Sequence, residues 1–264
     1  MPEGHTIHRQ VVDQAPALVG HYLSVGSPSR RLSSVSGAVD GRLLESMEAW
    51  GKHLFYFVEG RRVLHVHLGM DGRFRHHRSG PEQLPRPPRS VDLRVSGPAF
   101  GFDLTHPKVC QVVDVLNQRA VVARLGPDPI RCDHDGGRVL PRLAGYDGPI
   151  GAALLDQSVV AGIGNVYRAE ILFARRMHPE RPAASVTADD WAGLWAAAVS
   201  MLRAGVRDRG QIITVDRRDL RVRDRRRTYV YGQRMCARCG SPVRRWDLQG
   251  RDARACETCQ PPWQ

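Results

Sequence analysis

The apolar positions of the first eighteen residues fall on one helical stripe. Ile7, Val11, Val12, Ala15 and Leu18 recur at helix spacing, which predicts a helix over 3–18. Glu3 in its first turn complements the positive end of the helix dipole. From about residue 21 the texture changes. Short runs rich in Val, Leu, Phe and Tyr alternate with Gly and Pro: HYLSV, RLLESMEAW, HLFYFV, RVLHVHL, VDLRV, FGFDL and VCQVVDV. Strands at this spacing predict a sandwich or a barrel over 21–115. The insert 79–90, SGPEQLPRPPRS, carries four prolines and is expected to be a surface loop. After Leu116 the strand texture stops. LGPDPI over 125–130 is punctuated by proline and is expected to link domains. Helical patterns follow in IGAALLDQSVVAG, NVYRAEILFARRM and ADDWAGLWAAAVSMLRAG, the last with Asp189 and Asp190 near its start. Residues 212–227 are charge-dense with few apolar positions, and a mobile connection is expected there. The tail from Thr228 is compact again. The chain thus reads as a multidomain α+β protein.

Charge narrows the picture. Of 264 residues, 39 are basic and 27 acidic, a net charge of +12. Residues 203–254 contain 16 arginines and six aspartates, so 16 − 6 = +10 of that charge sits in about one fifth of the chain. A coding bias explains Arg in place of Lys, but not this concentration. The distribution points to a polyanion, most simply nucleic acid. A hydrophobic share of 42% excludes general disorder. No apolar run approaches a membrane span, and MPEGHTIHRQ lacks the apolar core of a secretory signal. A cytoplasmic protein with no membrane partner is expected.

Cys236, Cys239, Cys256 and Cys259 form C-x2-C-x16-C-x2-C. Two such knuckles offer four thiolates, the donor set of a closed, structural Zn²⁺ site. The residues between, 243–255, are expected to form a hairpin turning near Gln249-Gly250. Cys110 and Cys132 have no partner pattern and read as ordinary half-buried cysteines. His65 and His67 share one strand face, for which packing explains more than metal binding. Trp191 and Trp195, four apart on a helix, read as core rather than as a base-stacking platform.

Several segments, in order, resemble one family: MPEGHT, WGKHLFYF, HLGMDGRF, LGPDPI, IGAALLDQSVVAGIGNVYRAEILFARRMHPERPA, and TYVYGQ leading into CARC and GRDARACETCQ. They resemble the formamidopyrimidine-DNA glycosylase/endonuclease VIII family of base-excision repair enzymes, and PEG at the start leans toward endonuclease VIII. The resemblance implies an N-terminal helix and β-sandwich, a helical domain with a helix–two-turn–helix motif, and a zinc β-hairpin, with damaged double-stranded DNA in the cleft between domains. Pattern and resemblance together place a catalytic domain at 1–117, a linker at 118–135, a helical domain at 136–227 and a zinc hairpin at 228–264. A monomer holding one structural Zn²⁺ is expected.

The resemblance also assigns roles. Removal of Met1 exposes Pro2 as a secondary amine. A free α-amino group titrates near 7.7–8.0, so a useful fraction is neutral and nucleophilic near pH 7. Pro2 would be the Schiff-base nucleophile and Glu3 the general acid/base. On local sequence alone, Pro2-Glu3 is ordinary helix-start chemistry. Lys52 is one of only two lysines. Proton transfer needs an amine, because guanidinium holds its proton too tightly, and Lys52 matches the family's catalytic lysine. Met70 matches the residue that fills the gap left by an extruded nucleotide. Gly164 and Asn165, in GIGN, would hold a phosphate at a helix start. Arg251 matches the zinc-hairpin arginine that clamps phosphates beside the flipped nucleotide. Lys108 is a further candidate phosphate contact. The formamidopyrimidine branch carries an Arg and an aromatic in the loop that here reads THPKVC, which leaves opposite-base reading open. Oxidised pyrimidines are the expected substrates. Oxidised purines, or a catalytically inactive damage-binding protein, are the alternatives.

Overall fold

A computed structural model of the chain describes residues 2–133, 135–219 and 226–264. It divides into two compact units, 1–124 and 125–264.

The first unit opens with α1 (Gly4–Leu18), followed by β1 (Ser24–Gly26), α2 (Ser33–Val39), β2 (Leu44–Trp50), β3 (His53–Val58), β4 (Arg62–His67), β5 (Arg73–His77), β6 (Leu93–Ser96), β7 (Gly101–Thr105), β8 (Val109–Asp114) and α3 (Val115–Ala123). The strands form two four-stranded antiparallel sheets, ordered β1-β6-β7-β5 and β2-β3-β4-β8. Alternation sorts their side chains. Leu54, Tyr56 and Val58 of β3 and Leu64 and Val66 of β4 join the common core, together with Leu93, Val95, Phe102 and Leu104 from the other sheet. Ile7 and Leu18 of α1 bury against the same core.

The seven predicted strands are present. Two elements lacked a sequence signal. The strand β5, RFRHH, offers only one apolar side chain, and α2, SSVSGAV, has too little apolar surface to mark a helical stripe. The segment 79–90 is irregular apart from a single 3-10 turn at Pro81–Gln83. The linker expected at 118–135 starts inside α3, whose N-cap Asp114 accepts a hydrogen bond from the Asn117 backbone at 2.7 Å. The division between units falls later, at Arg124/Leu125.

The second unit holds α4 (Leu140–Ala144), α5 (Ile150–Ala153), α6 (Asn165–Ala174), α7 (Ala188–Arg207), β9 (Arg244–Leu248) and β10 (Arg251–Ala255). The helix expected over 150–162 stops after one turn. Asp156 takes hydrogen bonds from the Ser158 backbone and hydroxyl at 2.8 and 2.7 Å, a local alternative to helix continuation. Two turns then carry the chain to Gly162, at φ +92°, and into α6. The long helix α7 starts with a capping box between Thr187 and Asp190. Trp191 packs into the helical core with Trp195 beside it, 5.7 Å between ring centroids, as the sequence pattern predicts. Of the charge-dense connection expected over 212–227, residues 220–225 lie outside the described residues, and the described part is irregular apart from a single 3-10 turn at Arg217–Asp219.

A buried carboxylate organises the tail. Glu170 of α6 is fully buried. It accepts hydrogen bonds from the backbone amides of Tyr229, Val230 and Tyr231 at 2.8–2.9 Å and from the Thr214 hydroxyl at 2.5 Å. Burial raises its pKa, and the four donors oppose that shift. An amide cannot replace it, since either orientation turns an NH₂ toward a backbone N–H. Glu170→Gln should therefore cost roughly 3 kcal/mol of stability, read as a lower urea midpoint. An unchanged midpoint would contradict the anchoring role.

Candidate active site

Within the first unit, the candidate nucleophile and acid lie at the entrance to α1. Pro2 is half-buried and Glu3 is fully buried. Glu3 is the N-cap residue in an extended conformation, and its carbonyl accepts from the Thr6 amide at 2.9 Å. The helix-start geometry expected from local sequence and the functional reading are thus compatible. The Glu3 side chain is thus shielded from bulk water. Met1 lies outside the described residues.

The helix packs on β2 and β3, whose connection carries Lys52. Trp50 pairs with His53, so Gly51 and Lys52 form a two-residue hairpin loop. Gly51 takes φ +56°, as such tight loops require. Lys52 is half-buried there. Beside it stand three imidazoles on the face of the sheet opposite the core. His53 pairs with His67, and Phe55 with His65. Ring centroids lie 4.8 Å apart for Phe55–His65, 5.1 Å for His65–His53 and 4.7 Å for His53–His67, and His53 Nδ1 lies 2.8 Å from His65 Nε2. The packing role expected for His65 and His67 matches this stack. Among the described residues, only the four cysteines form a group of potential metal ligands.

Met70 sits at the turn after β4 and is 64% exposed, the property a side chain needs to enter a gap between bases. The turn leans on the β7–β8 loop. Lys108 N donates to the Leu68 carbonyl at 3.3 Å, and a Cβ on Gly69 would approach Lys108 Cβ to 2.7 Å. Gly69, at φ +68°, therefore permits both the turn and the contact. Met70 and Lys108 are brought together in this way. The same loop is held from behind by Asp92, which accepts from the His106 amide at 2.7 Å and binds Arg31 at 2.9 Å. Asp92 carried no sequence signal.

Within the second unit, Gly164 is the buried N-cap of α6 and Asn165 its first residue. The positive end of the dipole of this ten-residue helix lies at Asn165. The fully buried Arg168, one turn later, donates to the carbonyls of Gly151 and Asp252. Asp252 adjoins Arg251, so a single guanidinium joins the Asn165 helix to the Arg251 strand. Arg251 follows the tight turn of Gln249 and Gly250, at φ +52° and +76°. This is the hairpin expected from sequence. Its neighbours Arg245 and Arg254 pair with Asp252, and Arg244 with Glu257. Arg251 is exposed and has no carboxylate partner among the described residues. That distinguishes it from the other arginines of the hairpin.

The four cysteines converge below the hairpin, their sulfurs all within 4.8 Å of one another. Cys236 and Cys259 Sγ are 4.0 Å apart, and Cys239 and Cys256 Sγ 3.5 Å. Tetrahedral Zn²⁺ with Zn–S bonds of about 2.3 Å places sulfurs about 3.8 Å apart, so the donor set is compatible with that ion. Of the remaining cysteines, Cys110 is half-buried, and burial pushes its pKa to about 12. Cys132 is exposed, contrary to expectation, because it lies in the irregular segment after Ile130 rather than in a strand.

Comparison with known proteins agrees with this geometry. Residues 1–121 match the formamidopyrimidine-DNA glycosylase N-terminal domain, and residues 125–217 its H2TH domain. "Endonuclease 8 1" of Mycobacterium tuberculosis is 41% identical over 268 residues, spanning 98% of this chain and all of the relative. The chain belongs to the formamidopyrimidine-DNA glycosylase/endonuclease VIII family. "Formamidopyrimidine-DNA glycosylase" of Gloeobacter violaceus is 31% identical over 98% of this glycosylase and 96% of the relative. The Lactococcus lactis Fpg, solved in complex with DNA containing an abasic site, shares the fold at a TM-score of 0.80, with 20% identity over 98% of this chain and all of the other. The family comprises DNA glycosylases with AP lyase activity that act in base-excision repair.

The imidazole stack of the glycosylase has a consequence for pH. Burial, then His67, His65 and Lys52, lower His53 to about 3. Burial and His67 lower His65 to about 4, and burial with Lys52 and Lys108 lowers His67 to about 4. All three are neutral in the fold near pH 7. Below the unfolded value of 6.5 the unfolded chain binds protons that the fold refuses. Their contribution is therefore present above pH 6.5 and lost as pH falls toward 4. His65→Phe should flatten this loss by about one proton equivalent in urea midpoints taken from pH 7 to 4. An identical slope would contradict the assignment.

Proposed function

We propose that this chain is a bifunctional DNA glycosylase/AP lyase that removes oxidised pyrimidines from duplex DNA through an imine formed by Pro2. The observation that carries the reading is the placement of Pro2, whose nitrogen becomes a secondary amine once Met1 is removed, beside the fully buried Glu3 carboxylate at the start of a helix packed into the core.

The proposed chemistry follows from the residue types. Once Met1 is removed, the Pro2 nitrogen attacks C1′ of the damaged nucleotide, and the bond from C1′ to the base breaks. The C1′–O4′ bond then breaks as O4′ takes a proton, which opens the sugar, and a secondary amine yields an iminium with an obligatory positive charge. That charge draws electrons, so C2′ loses a proton and the 3′ phosphate departs with the bonding pair. Glu3 moves protons at the sugar, and Lys52 supplies a proton to the departing base. Gly164 and Asn165 at the start of α6, Lys108 and Arg251 hold phosphates, and Met70 fills the space of the extruded nucleotide. Cys236, Cys239, Cys256 and Cys259 would hold one Zn²⁺. When bound, that ion supplies a closed tetrahedral crosslink and takes no part in the reaction. The pyrimidine preference is supported by the 41% identity to an endonuclease 8. The reading includes a cytoplasmic monomer.

Borohydride reduction should trap a covalent adduct between the protein and an abasic duplex. A form retaining Met1 should give none. Absence of an adduct with the processed protein would overturn the reading. Duplexes carrying thymine glycol, dihydrouracil, 5-hydroxycytosine or 8-oxoguanine should show faster excision of the pyrimidine lesions, and preference for 8-oxoguanine would select the purine alternative.

Elemental analysis should find one zinc per chain. Cys256→Ser should lose the metal and weaken DNA binding about tenfold or more, as loss of the hairpin removes Arg251. Full metal content in that variant would contradict the ligand set.

A further inference from the structure

The buried face of α1 is not uniformly apolar. Ile7 and Leu18 bracket Gln10 and Gln14, which are 9% and 0% exposed. Two buried amides in a hydrophobic core are costly unless every polar atom is satisfied. Here they are tied to both sheets. From β3 of one sheet, the fully buried Tyr56 hydroxyl donates to Gln14 Oε1 at 2.7 Å. From β5 of the other, His76 Nε2 lies 2.8 Å from Gln10 Oε1. The amide oxygen only accepts, so the imidazole donates. Gln14 Nε2 donates to the same oxygen at 3.0 Å. Gln10 Nε2 donates to the Thr6 carbonyl at 3.3 Å, and the Thr6 amide to the Glu3 carbonyl at 2.9 Å.

These bonds form a connected path with one polarity, from the middle of the sandwich to the residue beside Pro2. Apolar packing is non-directional and leaves a helix free to rotate or slide by fractions of an ångström. Hydrogen bonds at two heights, to two different sheets, remove that freedom. We propose that Tyr56, Gln14, Gln10 and His76 are positioning residues that fix the rotation and height of α1 and thereby aim the Pro2 amine and the Glu3 carboxylate. The inference rests on the reading that these two groups carry the chemistry.

The test compares the wild type, with Met1 removed, against a Tyr56→Phe/Gln14→Leu double variant. That pair deletes a donor and its acceptor together. Gln10 Oε1 keeps its bond from His76, so no polar atom is orphaned and thermal stability should be retained. Affinity for an abasic-analogue duplex should stay within about twofold, while the borohydride-trapping rate at saturating abasic DNA falls about ten- to a hundredfold. A merely structural role would leave that rate unchanged at equal stability. His76→Gln, which can still donate to Gln10, should trap near the wild-type rate, and His76→Leu about tenfold more slowly. If wild type gives no adduct, the amine reading fails and the positioning role falls with it. If wild type traps and the folded double variant traps equally fast, only the positioning role is overturned. Should the double variant not fold, the His76 pair decides. Slower trapping by His76→Leu than by His76→Gln supports the role, and equal rates overturn it.

Discussion

An amine at the very start of a chain can serve as a nucleophile only if the chain start is held still. In this protein that constraint falls on α1. Its first turn carries Glu3, and its inner face is bonded to Tyr56 of one sheet and His76 of the other. Chain termini fray unless they are tied down. Here the tie is polar and directional, inside a core that is otherwise apolar. The sandwich thereby acts as a rigid mount for its own N-terminus, with the Lys52 hairpin and the Met70 turn built on the same strands.

The second unit solves a related problem. Its tail is too short to form a large core, and a few buried polar groups take that place. Glu170 gathers the backbone amides of 229–231, Arg168 reaches from α6 to β10, and Gln260 donates to the Met177 carbonyl at 2.8 Å. The four thiols close the end of the tail. The result is that Asn165 and Arg251, 86 residues apart in the chain (251 − 165), belong to one hydrogen-bonded substructure. The other hairpin arginines are paired with Asp252 or Glu257, whereas Arg251 is exposed without a carboxylate partner among the described residues.

How much of this was legible in the sequence depends on how each feature is encoded. Strands such as HLFYFV and RVLHVHL announce themselves because alternate or continuous apolar residues have no other use in so short a run. The cysteine spacing is legible for the same reason, since metal ligation imposes it. The strand β5 was missed because its inward positions are Phe74 and a histidine. The polar anchors were missed for a deeper reason. Glutamine at 10 and 14, and glutamate at 170, read as solvent-facing helix residues until the fold supplies Tyr56, His76 and the amides of 229–231. Pro2 and Glu3 are intermediate. Their local signal is only that of a helix start, and the resemblance of the whole chain was needed to give it meaning.

The scarcity of lysine bears on the chemistry. With Lys52 and Lys108 the only lysines, amines able to form a reducible imine are few, and removal of Met1 makes the N-terminal one a secondary amine. The central claim is that this nitrogen bonds to the sugar. Mass spectrometry of the proteolysed, borohydride-reduced adduct tests it most directly. The account predicts the deoxyribose remnant on the N-terminal peptide beginning at Pro2. A remnant on the peptide containing Lys52 would contradict it.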